Sequence, residues 1–331
     1  MGGVMHLTTS GIATVRGHQV VRAVLENHHQ TRLAVVNFGG MLQEFSVLDG
    51  YERVNLITPS TAMPSASGYN SSALNHVIGR VAGIIEASRF VYQADVWNLP
   101  TNYYQHTLNG GPHGFDQQMF TMTTDANQGS VTLTYQAQEA FDGFPGDLLT
   151  TVTYRLTEDD CVHVTFTGHQ TKQAGVFAPT LNTCFQLGKT QDSSDWHLQI
   201  NGSQRLVVDA LGVPMGLVQT EWDTPLDFTR LRRIGRLPCG GVTFIVPADL
   251  KQAAVTIVDP VTRRQVEIYS NRHGLFVGQP KDTNQQPAVG TMMLVPQNLP
   301  NSVNIPEFGS ISIAVDTPKS YDIIYKYIKS K

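Results

Sequence analysis

The chain has 331 residues, of which 41% are hydrophobic and only 15% are charged, with a formal net charge of -4 at pH 7. This length allows one large domain or two ordinary ones with a full-sized core, and the charge excludes a basic surface for nucleic acid or anionic membrane. With 29 Gly and 17 Pro, the composition favours short strands joined by turns, so we expect an all-β protein.

Segments with two-residue alternation or compact apolar runs recur between turn signals. In chain order they are RLAVVNF (32–38), SVTLTYQA (130–137), LLTTVTYRL (148–156), CVHVTFTG (161–168), AAVTIVDP (253–260), RRQVEIYS (263–270) and SISIAVDTP (310–318). Turn sequences such as Asn201-Gly202 separate them. No low-complexity linker or repeat divides the chain, which predicts a single domain over residues 1–331 with two large packed sheets.

The cysteines are odd in number and widely spaced, at Cys161, Cys184 and Cys239. Without CxxC or a His/Cys ligand pattern, they argue against a disulfide framework and a metal site, and a reducing compartment fits them best. There is neither a secretory leader pattern nor a run of the roughly 18 apolar residues that a membrane span requires. We therefore expect a soluble cytoplasmic protein, monomeric or homodimeric, without metal or cofactor.

Several stretches, taken in order, resemble the aldose 1-epimerase (galactose mutarotase) family. They are VIGRVAGIIEASRF (77–90), LNGGPHGFDQQMF (108–120), EAFDGFPGDLLTTVTYRLTEDD (139–160), TLNTCFQLG (180–188), VDALGVPMG (208–216), TPLDF (224–228) and MMLVPQNLPNSVN (292–304). Together they follow the family's order over residues 30 to 328. The resemblance implies a β-supersandwich, with large antiparallel sheets packed face to face and a cleft that holds a pyranose.

The resemblance also implies a mechanism. In the family, a carboxylate takes the proton from the anomeric hydroxyl while a histidine protonates the ring oxygen, so that the sugar ring opens and recloses on either face. The position of that histidine is Asn182 here, and that of the glutamate is Val295. An amide does not deliver the proton and a hydrocarbon is not a base, so we expect ordinary mutarotation to be lost.

The family's sugar-contacting positions have also become smaller, neutral or apolar. The second histidine corresponds to Asn109, the Asn-Arg pair to Gly83 and Ile84, the aspartate to Gly241 and the late glutamine to Phe276. The family's first arginine is kept as Arg80, for which a structural ion pair is the alternative to sugar binding. Asn109 and Asn182 keep donors and acceptors that suit sugar hydroxyls, or else they satisfy backbone groups in turns.

Three functions follow from this pattern. The first is a carbohydrate-binding member of the family that does not open the ring. The second is an isomerase that acts on a sugar or sugar derivative with a replacement group such as His113, since a histidine is suited to proton transfer near neutral pH. Asp116 is a weaker candidate, because its turn gives it a structural task. The third is a structural or regulatory partner whose cleft is closed by Val295, Ile84 and Phe276.

Overall fold

The computed structural model describes residues 5–60, 73–188, 192–280 and 288–328. Its strands, in chain order, are β1 (His6–Val15), β2 (His18–Glu26), β3 (Arg32–Val36), β4 (Leu42–Asp49), β5 (Glu52–Asn55), β6 (Val77–Ile78), β7 (Ile84–Ile85), β8 (Arg89–Tyr92), β9 (Asp95–Asn98), β10 (Thr107–Leu108), β11 (Thr121–Asp125), β12 (Ser130–Ala137), β13 (Leu148–Leu156), β14 (Cys161–His169), β15 (Gly175–Val176), β16 (Thr180–Leu181), β17 (Cys184–Phe185), β18 (His197–Ile200), β19 (Gln204–Val208), β20 (Pro214–Thr220), β21 (Arg232–Arg233), β22 (Val242–Ile245), β23 (Val255–Val258), β24 (Gln265–Ser270), β25 (Gly274–Gly278), β26 (Met292–Gln297), β27 (Ser312–Ile313) and β28 (Lys319–Ile328). Helix is confined, in the described residues, to α1 (Glu139–Asp142) and to single 3₁₀ turns at Glu86–Ser88, Phe115–Gln117, Ser193–Asp195 and Pro306–Phe308.

Three antiparallel sheets make up most of the fold. The first has five strands in the order β1-β2-β3-β4-β5, the second nine in the order β11-β12-β13-β14-β28-β24-β23-β18-β21, and the third six in the order β17-β26-β25-β22-β19-β20. In the nine-stranded sheet β28 lies between β14 and β24, so the last described strand joins the first half of this sheet to the second.

Strand alternation explains why these segments form sheets with one buried face. Along β13, Leu148, Thr150, Val152 and Tyr154 are buried, and the residues between them are exposed or half-buried. Because successive side chains of a strand point to opposite faces, this pattern places every second residue in the core. The hydroxyl of Tyr154 then donates to the carbonyl of Gly40 at 2.6 Å, which ties the nine-stranded sheet to the segment between β3 and β4.

The six-stranded sheet packs on the same nine-stranded sheet. The rings of Phe185 on β17 and Tyr325 on β28 lie 5.7 Å apart. The hydroxyls of Thr183 and Tyr325 are 2.7 Å apart, and both residues are buried. A core shared between stacked antiparallel sheets is the arrangement expected for a β-supersandwich, and it confirms the predicted fold class.

The strand predictions differ in their outcomes. Segments 130–137 and 148–156 coincide with β12 and β13, and 161–168 falls within β14. Segment 310–318 is wrong in extent, because only Ser312 and Ile313 pair as a strand. The chain turns at Asp316, whose φ of 54° lies in the left-handed region. The strand that enters the sheet there is β28, which follows this turn.

Candidate functional site

Val295, at the predicted base position, lies in a row of paired residues across the six-stranded sheet, and Asn182, at the predicted acid position, lies in the segment just before β17. Phe276 on β25 pairs with Val295 on β26 and with Thr243 on β22. The segment that carries Asn182 runs alongside β26, because the Thr180 hydroxyl donates to the Pro296 carbonyl at 2.5 Å and the Leu294 N–H donates to the Thr183 carbonyl at 3.2 Å. We call Asn182, Val295, Phe276 and Thr243 the cross-strand row.

The row faces away from the nine-stranded sheet. Thr183 points toward that sheet, since its hydroxyl contacts Tyr325, whereas the Asn182 side chain points to the segment before β6, where its amide nitrogen donates to the Ala73 carbonyl. Leu275 and Val277 are fully buried, whereas Phe276 between them is half-buried. The row is therefore a candidate ligand surface, although Val295 itself is only 3% exposed. It contains no carboxylate and no imidazole.

Phe276 fills the space that a side chain on Gly241, the predicted aspartate position, would enter. A Cβ atom on Gly241 would lie 2.4 Å from Cζ of Phe276 and 2.8 Å from the carbonyl oxygen of Val277. The φ of Gly241 is +82°, which disfavours any L side chain. A carboxylate at this position and the ring of Phe276 are therefore mutually exclusive in this backbone.

Gly83 and Asn109 form a second constellation, beside the β7–β10 pair. The side-chain oxygen of Asn109 accepts the Gly83 N–H at 2.9 Å, and the Asn109 N–H donates to the Gly83 carbonyl at 2.9 Å. A Cβ on Gly83 would lie 2.8 Å from Cβ of Pro300, and Ile84 is 8% exposed. Asn109 thus uses its side-chain oxygen to hold the backbone of Gly83, and Pro300 occupies the space that a side chain on Gly83 would need.

Asn182 is also bonded to neighbouring backbone. Its side-chain nitrogen donates to the Ala73 carbonyl at 3.2 Å, and its backbone N–H donates to the carbonyl of His76 at 3.0 Å. Its own carbonyl accepts the N–H of Asn75 at 2.8 Å. Asn109 and Asn182 therefore each use one polar atom of the side-chain amide in a hydrogen bond to nearby backbone.

Arg80 does not reach a ligand surface, which corrects its assignment to sugar binding. Its guanidinium is fully buried and forms a two-pronged ion pair with Asp142, at 2.6 and 2.9 Å. It also donates to the carbonyls of Pro145 and Gly146. The turn at 142–146 is held by this arginine, so the ion pair anticipated as its alternative role is the one observed.

His113 lies against α1. Its ring stacks on Phe141 with centroids 4.2 Å apart, and its carbonyl accepts a hydrogen bond from the side chain of Gln118. Its described ring contact is thus with α1, whereas the cross-strand row lies on β22, β25, β26 and the segment before β17. Among the described residues, no hydrogen bond or ring contact joins His113 to the row.

Two titratable residues, the buried His76 and the half-buried Asp116, lie near Gly39. A Cβ on Gly39 would be 2.2 Å from the His76 ring and 2.6 Å from the Asp116 carbonyl. Burial lowers the pKa of His76 to about 4, despite the hydrogen bond between its Nδ1 atom and the Leu74 carbonyl. Burial raises the pKa of the Asp116 carboxyl to about 6, against a 2.6 Å hydrogen bond from the Gln117 amide. His76 is therefore neutral at pH 7.

The described residues contain no group of three or more His, Cys, Asp and Glu side chains suited to a metal ion. Cys161, Cys184 and Cys239 are all unpaired, and burial is the first cause that raises the thiol pKa of Cys161 and of Cys184 to about 11. Neither buried thiol is a nucleophile near neutral pH. No helix in the described part of the chain is long and apolar enough to cross a membrane.

Sequence reasoning missed Thr243 as a member of the row. Its membership depends on the pairing of β22 with β25, two strands about thirty positions apart in the chain. Nothing local marks Thr243, since VTFI is typical of a buried strand. The available signal was its place two residues after Gly241. Residues two apart in a strand lie on the same face, and Gly241 was a predicted site position.

The family profile described as aldose 1-epimerase matches residues 22–326. The maltose epimerase of Levilactobacillus brevis is 32% identical over 98% of this chain and 100% of its own. An aldose 1-epimerase of Streptococcus thermophilus is 26% identical over 98% and 99% of the two chains.

Two solved structures have the same fold. A GalM/aldose epimerase homologue from C. elegans superposes with a TM-score of 0.83 at 17% identity, over 92% of this chain and 97% of the other. The galactose 1-epimerase of Lactobacillus acidophilus gives 0.82 at 20% identity, over 98% and 99%. At these identities the likeness concerns the fold alone.

Proposed function

Because the chain belongs to the aldose 1-epimerase family, we propose that it binds a neutral aldose at the cross-strand row without catalysing mutarotation. The observation that carries the proposal is that Val295 pairs with Phe276 and that Asn182 lies beside β26, between the contacts of Thr180 and Thr183 with that strand. The three positions are neighbours, as an acid, a base and a sugar contact require, yet none of the three side chains titrates.

The chemistry of ring opening supports the absence of mutarotation. A general acid and a general base each contribute on the order of 10² to 10⁴ in rate. Asn182 has no proton to transfer near neutral pH, and Val295 has no polar atom. His76 is close to Asn182 through backbone, but its imidazole bonds Leu74 and is neutral at pH 7. With both contributions removed, we expect the rate of the buffer alone.

The same surface supports sugar binding. The half-buried ring of Phe276 beside Val295 forms an apolar platform, which suits the C–H face of a pyranose. Thr243 and Asn182 at the ends of the row bring a hydroxyl and an amide, groups that both donate and accept hydrogen bonds. Since a relative at 32% identity is a maltose epimerase, maltose is the first ligand to test.

The test combines polarimetry with a binding measurement. The mutarotation of freshly dissolved α-glucose, α-galactose and maltose is followed with and without the protein, across about pH 5 to 8, where a histidine titrates. Saturation-transfer NMR then reports whether maltose contacts the protein. We expect buffer rates in polarimetry and saturable maltose binding that Phe276→Ala weakens. Phe141→Ala is the matched control, because Phe141 is a partly exposed phenylalanine on α1, away from the row.

Two results would overturn the proposal. Acceleration well above the buffer rate, lost in His113→Gln, would make the protein an isomerase with a replacement acid or base. Buffer rates without maltose binding at the row would favour the structural or regulatory role, with the cleft closed by Val295, Ile84 and Phe276. We also propose a cytoplasmic location, supported by the three unpaired cysteines.

A further inference from the structure

A second cleft lies outside the cross-strand row, where β18 leads into β19. Its volume is about 530 Å³, within the range of roughly 300–1,000 Å³ typical of small-molecule sites. It is bounded by the end of β18, the turn at 201–203, the side chain of Trp222, Thr229 and the segment 252–256. We call it the Trp222 cleft. It shares no lining residue with the row.

The lining is polar and uncharged. The side chains with hydrogen-bonding groups around it are those of Gln199, Asn201, Ser203, Thr229, Gln252 and Thr256. Amides and hydroxyls both donate and accept hydrogen bonds, so they match alcohol groups, which do the same. Because no lining side chain carries a formal charge, the cleft has no direct partner for a phosphate, a carboxylate or an ammonium group. This chemistry selects a neutral polyhydroxyl ligand.

The polar side chains on the cleft floor are placed by the sheet. Gln199 on β18 lies directly opposite Thr256 on β23, on the outer face of the nine-stranded sheet. The Asn201 side chain donates to the Gln252 side-chain oxygen at 3.2 Å, which joins the two walls. An amide group offers two donor hydrogens and an acceptor oxygen, so Asn201 and Gln252 both keep hydrogen-bonding capacity for a ligand.

Trp222 provides an aromatic surface at the rim. Its side chain is 69% exposed, an unusual position for the largest apolar residue type. On a flexible loop this exposure would carry no argument, but hydrogen bonds of the neighbouring residue hold the turn that carries Trp222. The neighbouring Glu221 is 3% exposed and accepts hydrogen bonds from Arg205 Nε and from the Thr224 hydroxyl, each at 2.6 Å.

A further hydrogen bond fixes the other side of the turn. The Asp223 N–H donates to the Asp227 carboxylate at 3.1 Å. The backbone that carries Trp222 is thus held on both sides, while the ring itself stays free. A rigid aromatic beside polar groups binds with little loss of conformational entropy, since the ordering has taken place on folding.

We infer that the Trp222 cleft is a second saccharide-binding site, which takes a neutral oligosaccharide with one sugar ring on Trp222 and its hydroxyls on the surrounding amides and hydroxyls. The apolar C–H face of a pyranose packs on an indole ring, and its equatorial hydroxyls reach the side chains around it. This inference is independent of the proposed function, because the two sites share no side chain.

Maltotriose is the probe, and intrinsic fluorescence is the first readout. The chain has three tryptophans; Trp196 is fully buried, and Trp97 lies on β9, away from the cleft. Binding at the cleft is therefore expected to change the emission of Trp222 in a saturable way. Trp222→Ala should weaken maltotriose binding about tenfold, the effect of losing roughly 1.4 kcal/mol. Because both substitutions remove the fluorescent Trp222 side chain, saturation-transfer NMR measures the binding of maltotriose to both variants. Trp222→Phe should keep most of the affinity.

Two further variants separate this site from the row and from a general surface effect. Met215→Ala is the matched control, because Met215 is 57% exposed on neighbouring β20 and does not line the cleft. Phe276→Ala removes the row's platform and should leave the Trp222 signal intact. The inference fails if maltotriose gives no saturable binding, if Trp222→Ala binds as the unaltered protein does, or if Phe276→Ala alone abolishes all binding. A loss confined to Phe276→Ala would retain the proposed function and reject the second site.

Discussion

The ring of Phe276 packs so closely against Gly241 that a methyl group on Gly241 would lie 2.4 Å from Cζ at the tip of the ring. Gly241 and Phe276 are the positions at which the resemblance predicts the family's aspartate and glutamine. The replaced positions are coupled through packing, which a comparison of single positions does not reveal.

This coupling predicts the cost of Gly241→Ala. The substitution combines a left-handed backbone penalty of roughly 1–2 kcal/mol with a clash against Phe276, so it should destabilise by more than the backbone penalty alone. Gly240→Ala is the matched control, since Gly240 has a φ of +87° and no atom within 4 Å of the added carbon. Chemical denaturation measures both. In a Phe276→Ala background, the destabilisation by Gly241→Ala should fall but stay above that by Gly240→Ala, because the added carbon would still lie 2.8 Å from the Val277 carbonyl oxygen. Equal destabilisation in both backgrounds would contradict the clash with the ring.

Arg80 predicts a large effect on stability. Arg80→Met leaves the Asp142 carboxylate buried without its partner, and breaking a buried ion pair in this way costs roughly 3–5 kcal/mol. Arg233→Met is the control, because Arg233 pairs with Asp195 at the surface, where such pairs contribute about 0–1 kcal/mol. In urea unfolding, Arg80→Met should lower the free energy of unfolding several times more than Arg233→Met does. Similar small losses would mean that Asp142 is readily solvated.

His76 predicts an acid-dependent loss of stability. Its folded pKa is about 4 and its unfolded pKa is 6.5, so the unfolded chain takes up the proton first as the pH falls. The contribution of His76 to the free energy of unfolding is complete above about pH 6.5, and it falls by about 3 kcal/mol in total as the pH drops to about 4. Asp116 acts in the opposite direction, because its raised pKa favours the folded protonated form between about 6 and 3.8.

The His76 contribution is isolated by comparing pH profiles. His76→Gln keeps a hydrogen-bond donor for the Leu74 carbonyl but does not titrate. The free energy of unfolding of this variant should fall less between pH 6.5 and 4 than that of the unaltered protein. Replacing His6, which is exposed on β1, should leave the profile unchanged. Parallel profiles for His76→Gln and the unaltered protein would show that His76 is protonated without unfolding.

The position of Asn182 beside the strand of Val295 predicts that activity can be introduced. Asn182→His and Val295→Glu together place an acid in the segment before β17 and a base on the adjoining β26, and we expect mutarotation to rise by roughly 10²-fold over buffer. Each single substitution supplies only one of the two groups and should give much less. Polarimetry on maltose measures the rates, and circular dichroism checks that the variants fold. A folded double variant with the buffer rate would show that the row does not hold the anomeric centre.

The sequence by itself determined the all-β class, the family resemblance and most of the regular strands between 130 and 168. These features depend on local alternation and on turn residues, which a linear pattern displays. It also predicted that Asn182 and Val295 replace the family's acid and base, and this stays a prediction. It did not find β28, although YDIIYKYI alternates, and it extended a strand through the turn at Asp316.

Only the tertiary structure decided which of these residues act together. It buried Arg80 on Asp142, set Phe276 over Gly241, and placed Thr243 in a row with Val295. It also assembled the Trp222 cleft from segments that lie apart between residues 199 and 256. Such relations depend on strand register and on sheet order, which bring distant residues to within a few ångströms. No local pattern contains them, because a shift of one residue in the pairing would send each side chain to the opposite face.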